Sequence, residues 1–229
     1  MKLFTIVKNN SERINEKNFQ YISNDIPLWK WTVEKLISEG NKIYINTDSN
    51  KILQEVENMP SIIGIRRNIK HINWEENSHV HGSPVEAMFK EFCENYIENK
   101  KEKVCLFHVT SPFISFQTIQ KASVYLDKGF DSVQSVRKIQ DFLFFVNENN
   151  ISPINYDPAI VQRTQDLSPV YMSLGAFFIS RAKDVIKTGR RLPGKCFNYE
   201  LNSLESIEID DYDQLNLARI IAKNSLYPN

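Results

Sequence analysis

The feature that most constrains the fold is the alternation of strand-like and helix-like segments in the first third of the chain. Residues 3–7 form a short apolar, β-branched run, and residues 28–37 have the apolar spacing of a helix that ends at Gly40. A strand-like run at Lys42–Thr47, a helical segment at 49–59 and a short strand at 62–65 follow. This order predicts parallel strands joined by right-handed crossovers, with helices on both faces of the sheet.

The rest of the chain continues the pattern with one interruption. Predicted elements are a helix from Ser83 and Pro84, a strand at 104–109, a helix from Ser115 or Gln117, strands at 131–136 and 175–179, a helix at Ala182–Thr188, a strand at 206–210 and a terminal helix after Asp211. Residues 68–82 are polar and aperiodic and predict a loop, as do residues 189–195. Residues 137–171 predict a hairpin-bearing arm within a single domain that spans residues 1–229.

Composition excludes several classes of protein. The chain has 229 residues and a formal net charge of +0, so it lacks the basic excess of a dedicated nucleic-acid binder. It has no apolar run near the roughly 20 residues that span a bilayer, and its start does not resemble a signal peptide. Three separated cysteines without a C-x-x-C pair indicate reduced thiols. We therefore expect a cytoplasmic protein without nucleic-acid or membrane partners.

The first strand runs directly into a polar, cationic loop. Its candidate anion-binding residues are Lys8, Asn9, Asn10, Ser11, Arg13, Lys17 and Asn18. A buried strand that ends in such a loop can present backbone N–H groups to a phosphate, and Asn9 and Asn10 could adopt positive φ in place of glycines. An ordinary strand exit with solvated charges explains the stretch equally well.

Other polar residues follow the ends of neighbouring predicted strands. Asp48 follows the second strand, and Arg66 and Arg67 follow the third. Ligands of open α/β sheets bind beyond the carboxyl ends of the strands, so these residues and the opening loop should share one rim.

Two carboxylates stand near the end of the chain. Glu208 and Asp210 are two residues apart, which places them on one face of a strand. Such a pair suits Mg²⁺, which binds carboxylates and keeps waters beside substrate phosphates. A solvated sheet edge before an acidic helix start is the alternative. His79 and His81 lack a nearby carboxylate or thiolate, and a plain loop is favoured over a metal site there.

Seven motifs in this order resemble the CTP-dependent cytidylyltransferases that activate sugar acids, the acylneuraminate cytidylyltransferase family. The motifs are K-N-N-S-E-R…K-N (8–18), I-N-T-D (45–48), T-S-P (110–112), D-S-V-Q-S-V (131–136), R-T-Q-D-L-S-P-V-Y (163–171), G-A-F-F-I (175–179) and S-I-E-I-D (206–210). The resemblance implies a GT-A-like Rossmann fold, a three-layer α/β/α arrangement with a mostly parallel sheet. It also implies a Mg²⁺-dependent reaction and a homodimer built through the arm at 137–171.

The resemblance also implies roles for individual residues. The loop residues Lys8, Asn9, Asn10, Ser11, Arg13, Lys17 and Asn18 would bind CTP, with Arg66 or Arg67 and Ser83 completing the nucleotide site. His108, Thr110, Arg163 and Gln165 would contact the sugar acid, and Glu208 and Asp210 would hold the metal. Lys17, Arg13 and Asp210 would act directly on the reacting phosphates.

The expected reaction is attack of an acceptor oxygen on the α-phosphate of CTP with release of pyrophosphate. Three departures from the family's pattern bear on the acceptor and the loop: Glu12 brings a negative charge into the loop, Glu208 stands for the usual aspartate, and His108 stands for a glutamine. The alternatives are a GT-A-type glycosyltransferase, whose usual mid-chain Asp-x-Asp is missing from 104–109, and a non-catalytic nucleotide-binding protein.

Overall fold

A computed structural model describes residues 1–11, 13–37, 41–77, 83–148, 150–160 and 162–224. The predictions that concern Glu12, Gly40, His79, His81 and Gly82 lie outside these described residues.

A seven-stranded sheet forms the middle layer of this described part of the chain. Its strands are β1 (Lys2–Val7), β4 (Lys42–Thr47), β5 (Ile62–Arg66), β6 (Lys103–Phe107), β7 (Ser132–Ile139), β10 (Val170–Arg181) and β11 (Cys196–Glu200), and their spatial order is β11-β7-β10-β6-β1-β4-β5. Only β10 runs antiparallel to its neighbours. The predicted mostly parallel sheet is confirmed.

Helices cover both faces of the sheet. They are α1 (Leu28–Leu36), α2 (Asn50–Val56), α3 (Ile69–Glu76), α4 (Val85–Tyr96), α5 (Phe116–Ser123), α6 (Ala182–Thr188) and α7 (Tyr212–Lys223). One core cluster packs α1, α2 and α5 against the sheet, and a second packs α4 and α6 against it, so the predicted three-layer α/β/α fold is confirmed. No helix in the described ranges has the length and apolarity needed to cross a bilayer.

A third core cluster joins the two ends of the chain. Ile14 from the opening loop and Ile209 from the late acidic segment are both fully buried with Leu215 of α7. The hairpin of β2 (Tyr21–Ser23) and β3 (Ile26–Pro27) packs beside α7 through Ile22. Because burial of these apolar side chains fixes their neighbours, the polar residues beside Ile14 and Ile209 are held close together.

The predicted strand at 206–210 is wrong. Residues 207–210 pair with no described strand, and a hydrogen bond from the Ile209 N–H to the Thr110 carbonyl (2.8 Å) holds the segment across the end of β6. The edge position beside β7 belongs instead to β11, in a region where no strand was predicted. Within 207–210 only Ile209 is fully buried, and it packs in the third cluster with Ile207 partly buried against it.

The predicted loop at 68–82 is also wrong in part, because α3 occupies residues 69–76. The Asn68 side chain caps this helix by accepting from the Lys70 N–H at 3.0 Å. Ion pairs stabilise it in place of an apolar face, since Lys70 pairs with Glu91 and Arg67 pairs with Glu75. Hydrophobic periodicity could not reveal such a helix. The cap predicted at Ser83 falls one residue later, at Pro84.

The arm predicted at 137–171 contains the expected hairpin. Strands β8 (Phe144–Asn147) and β9 (Asn150–Pro153) pair antiparallel outside the main sheet. The large apolar side chains that this hairpin leaves exposed are Phe144, Phe145, Val146 and Ile151.

Candidate active site

The loops after β1, β4 and β5 meet at one rim of the sheet. The Asn9 N–H donates to the Asp48 carboxylate at 2.8 Å, and the Arg66 guanidinium donates to the Asp48 carbonyl at 3.3 Å. Parallel strands bring their carboxyl ends to the same edge, so these contacts follow from the topology. The shared rim predicted from the sequence is confirmed.

The opening loop is closed by a buried amide. Asn18 lies on a short 3₁₀ turn (Lys17–Phe19) and donates from Nδ2 to the Lys8 carbonyl at 2.8 Å. The prediction that Asn9 and Asn10 adopt positive φ is wrong, because the described non-glycine residues with positive φ are Glu16, Asn24 and Asp25. In the described part of this loop the left-handed residue is Glu16, just before the 3₁₀ turn, rather than either asparagine.

The cations of this loop meet an acid from the other end of the chain. Lys17 Nζ lies 3.3 Å from Asp210 Oδ1 and donates to the Ile209 carbonyl at 2.9 Å. The Arg13 guanidinium lies 3.2 Å from the same carboxylate oxygen. The Lys17 side chain is 13% exposed and that of Asp210 is 45% exposed, so a partly buried cation lies beside an accessible carboxylate.

Lys8 points to a different partner. Its ammonium lies 2.6 Å from Glu75 Oε1 on α3, and the other oxygen of Glu75 binds the buried Arg67. Arg67 is 4% exposed, whereas Arg66 is exposed on the rim. Of the two arginines that the sequence could not distinguish, Arg66 is therefore the one open to a ligand.

Glu208, the other predicted metal ligand, contacts the backbone of the sheet. Its Oε2 accepts the Gly175 N–H of β10 at 3.3 Å. Burial raises the pKa of the Glu208 carboxyl, and the negative charge of Asp210 raises it further, while the Gly175 N–H, Lys17 and the Thr110 hydroxyl oppose the rise. Two mutually repelling carboxylates form a donor set that a divalent cation would stabilise. Among the described residues, no group of three His, Cys, Asp or Glu side chains forms a complete metal cage. Mg²⁺ commonly completes its shell with waters and substrate phosphates, so the pair fits that ion.

His108 lies beside Glu208, just past the end of β6. A Cβ built on Gly175 would approach His108 Nδ1 to 2.7 Å and Glu208 Oε1 to 2.5 Å, so both side chains occupy the space that this glycine leaves. Burial lowers the pKa of His108 to about 4, and the positive charges of Arg191 and Lys17 act in the same direction. The imidazole is therefore neutral near pH 7 and is a weak base.

Changing Gly175 to alanine should displace the Glu208 carboxylate. We expect Gly175→Ala to reduce turnover by at least roughly tenfold, because misplacing a group in an active site is costly to the rate. The clash involves side-chain ends, so circular dichroism should show a retained fold. Gly129→Ala is the matched control, since Gly129 has φ +87 and no atom within 4 Å of the added Cβ. That control should lower the melting temperature and leave turnover intact. Wild-type turnover in Gly175→Ala would contradict the assigned position of Glu208.

Changing His108 to glutamine should alter the acid sensitivity of the fold. The pKa of His108 is lowered from 6.5 to about 4, so the unfolded chain binds more protons between these values and stability falls as the pH falls. Glutamine cannot titrate, so His108→Gln should flatten the loss of melting temperature between pH 6.5 and pH 4, by a few degrees at the acid end. If the melting temperatures of the two proteins fell in parallel as the pH was lowered, the pKa of His108 would not be depressed by the fold.

Comparison with known proteins identifies the kind of enzyme that carries this arrangement. A sequence model of a family described as cytidylyltransferase matches residues 8–215, which include both the cationic loop and the acidic pair. The chain belongs to this cytidylyltransferase family. This family membership confirms the resemblance that the sequence motifs indicated.

One curated relative and several solved structures are similar to this cytidylyltransferase. The N-acylneuraminate cytidylyltransferase of Streptococcus agalactiae serotype V is 24% identical over an alignment of 216 residues that covers 90% of this chain. The chain spans about half (49%) of the length of that relative.

Solved structures share the fold at low sequence identity. The 2-C-methyl-D-erythritol 4-phosphate cytidylyltransferase of Francisella tularensis has a TM-score of 0.66 and 12% identity, covering 96% of this chain and 99% of its own. A CMP:2-keto-3-deoxy-manno-octonic acid synthetase, solved with CTP, has a TM-score of 0.62 and 14% identity, covering 98% of each chain. At these identities the likeness supports the fold alone.

The structure brings most, but not all, of the predicted site residues together. The grouped residues are Asn9, Arg13, Lys17, Asn18, Arg66, His108, Thr110, Glu208 and Asp210. Arg163 instead pairs with Asp166 on the arm, 2.7 Å away, and the Gln165 carbonyl accepts from Gln140 of the same arm. Ser83 is exposed before α4, and Ser11 is partly exposed in the loop.

Two residues that contact the predicted site residues were not identified from the sequence. Glu75, which holds Lys8 and Arg67, lies on the helix that was interpreted as a loop, and its signal was the Asn68 cap rather than any apolar period. Gly175 was recognised only as part of a strand. A glycine inside a buried strand often marks a close approach, and that signal could have indicated its contact with Glu208 and His108.

Proposed function

We propose that this cytidylyltransferase transfers CMP from CTP to a sugar acid and releases pyrophosphate. The observation that carries the proposal is the meeting of Lys17 and Arg13 with Asp210, at 3.3 and 3.2 Å, from opposite ends of the chain. Transfer of a nucleotidyl group requires cations on the triphosphate and an acidic site for a metal at the same place. The name of the Streptococcus agalactiae relative supports an acylneuraminate-like sugar acid as the acceptor.

The reaction needs no covalent nucleophile from the protein. An acceptor hydroxyl oxygen forms a bond to the α-phosphorus of CTP, the bond from that phosphorus to the bridging oxygen breaks, and pyrophosphate leaves while the hydroxyl proton passes to solvent. Lys17 and Arg13 bind the departing phosphates and offset their growing charge. The rim loop, fixed by the Asn9 to Asp48 and Asn18 to Lys8 hydrogen bonds, orients the triphosphate.

Asp210 and Glu208 are the residues that would hold Mg²⁺. The ion supplies charge stabilisation for phosphoryl oxygens when it is bound. Asp210 is the accessible ligand, and Glu208 is braced by the Gly175 N–H. Within the nucleotide site we assign Arg66 rather than Arg67 to the nucleotide, because Arg66 is the exposed one of the pair.

We also propose a homodimer that forms through the arm. Phe144, Phe145, Val146 and Ile151 are each at least half exposed on the hairpin. Exposed aromatic and aliphatic side chains grouped in this way are typical of protein interfaces. The described contacts of Arg163 and Gln165 lie within the arm. In such a dimer the arm of one subunit would place these residues near the sugar acid bound by the other.

The test measures pyrophosphate release with CTP or UTP, with Mg²⁺ or with EDTA. The acceptors are nine-carbon and eight-carbon 2-keto sugar acids, phosphonates and polyol phosphates. We expect release only with CTP, Mg²⁺ and a sugar acid together. Release that needs no acceptor acid, that prefers UTP, or that persists in EDTA would contradict the proposal. Thermal shifts under the same conditions report ligand binding independently of turnover.

A further inference from the structure

Arg191 lies on the loop between α6 and β11 with its guanidinium held in place. Its backbone N–H donates to Glu86 Oε2 at 2.5 Å, and its Nε lies 3.7 Å from Glu86 Oε1. The guanidinium carbon lies 4.3 Å from the centre of the Phe178 ring on β10. Stacking on a ring and pairing along one edge restrict the rotamers of an arginine, so this group is pre-organised.

The same ring connects Arg191 to the candidate active site. The His108 ring centre lies 6.0 Å from that of Phe178, so both side chains pack on one aromatic group. After burial, the charge of Arg191 is the strongest influence on the pKa of His108. His108 in turn lies beside Glu208 across Gly175. Arg191, His108 and Glu208 are therefore linked by a continuous series of contacts through Phe178 and Gly175.

Arg191 and the cations of the opening loop have different partners. The opening loop follows β1, whereas Phe178, on which Arg191 stacks, lies on β10, two strands away in the order β10-β6-β1. Lys17 and Arg13 pair with Asp210, whereas Arg191 pairs with Glu86. Because Lys17 and Arg13 are assigned to the triphosphate, Arg191 is available to a different anion.

The free edge of the guanidinium suits an oxyanion. Glu86 faces Nε, and the terminal nitrogens of Arg191 donate no hydrogen bond to any residue that the structure describes. The side chain is 33% exposed, so it is accessible to a ligand. A planar arginine edge binds a carboxylate or a phosphate through two parallel hydrogen bonds.

We propose that Arg191 binds an anionic group of the acceptor, a carboxylate or a phosphate, beside His108. This inference rests on the proposed function, because it assigns a residue to the acceptor of that reaction. It makes Arg191 a specificity-determining residue that selects charged acceptors over neutral ones of the same size.

The experiment compares Arg191→Met with wild type and with Arg190→Met, an exposed neighbour on the same loop. Steady-state kinetics give KM for CTP and for each acceptor, and calorimetry gives acceptor affinity without turnover. The acceptors are an eight-carbon 2-keto sugar acid, a polyol phosphate and a neutral polyol. Arg191→Met should raise KM and Kd for the anionic acceptor roughly 10- to 100-fold, as expected for lost charge-assisted hydrogen bonds, with KM for CTP within about twofold of wild type. Arg191→Lys should recover only part of the loss.

The outcomes separate this inference from the function on which it rests. Loss of affinity for the sugar acid supports a carboxylate ligand, and loss for the polyol phosphate supports a phosphate ligand. If Arg191→Met leaves KM and Kd unchanged for every acceptor, the inference is overturned and the proposed function stands. The same holds if wild-type protein binds neither anion. If wild-type protein binds the anionic acceptor more tightly than Arg191→Met does but releases no pyrophosphate, only the proposed reaction is overturned.

Discussion

Replacing Asp210 with asparagine should reduce CTP-dependent pyrophosphate release by roughly a hundredfold or more. Asparagine keeps the size of the side chain but removes the charge that faces Lys17 and Arg13 and that would bind Mg²⁺. The measurement is steady-state pyrophosphate release at saturating CTP over a range of Mg²⁺ concentrations. Circular dichroism and melting temperature should change little, since the Asp210 side chain is 45% exposed.

Asp211→Asn is the matched control for this change. Asp211 caps α7 by accepting the Gln214 N–H at 2.8 Å, and asparagine is an equally good cap. The control should retain both turnover and melting temperature. Near-normal turnover in Asp210→Asn, or an equal loss in the two variants, would rule out Asp210 as the residue that serves the reacting phosphates.

Replacing Lys17 with alanine should cost several kcal/mol of transition-state stabilisation, on the order of what an oxyanion donor supplies. The Lys17 side chain is 13% exposed and donates to the Ile209 carbonyl as well as to Asp210, so its loss removes the proposed phosphate-binding cation and a contact that holds residues 209 and 210. We expect kcat/KM to fall between roughly a hundredfold and a thousandfold. Lys17→Arg should recover a measurable part of the activity because it restores the charge.

Lys121→Ala is the control for removal of a cation, because Lys121 is exposed on α5. It should behave as wild type in turnover and stability. The rates of wild type, Lys17→Ala, Lys17→Arg and Lys121→Ala are compared per folded molecule, with the folded fraction of each protein taken from its melting curve. If Lys17→Ala kept kcat/KM within about tenfold of wild type, Lys17 would not be the residue that holds the phosphates.

Some of this structure follows from the sequence because local and tertiary preferences agree. Strand Lys42–Thr47 and helix Ala182–Thr188 have the bounds that the sequence predicts, since each apolar pattern ends at residues that break it. The rim was predictable as well, because parallel strands bring the residues after them to one edge. The same reasoning predicted that Lys17 and Asp210 lie close together, although 193 residues separate them in the sequence.

Other features could not be derived from local pattern. Residues 206–210 alternate like a strand, but the buried face of Ile209 belongs to a cluster with Ile14, and no periodicity reports which surface an alternating segment faces. Helix Ile69–Glu76 is stabilised by ion pairs with distant residues such as Glu91, which a window of sequence does not contain. The pairing of Lys8 with Glu75 depended on that helix and was therefore missed as well.

The central claim is that Lys17 and Asp210 act on the same bound triphosphate. A double-mutant cycle of CTP affinity tests it, with calorimetric Kd values in Mg²⁺ for wild type, Lys17→Ala, Asp210→Asn and the double variant. We predict that both single changes weaken CTP binding and that their effects are non-additive by more than about 0.5 kcal/mol, as expected for groups that share one ligand. A double variant that binds CTP with the wild-type Kd would contradict the claim.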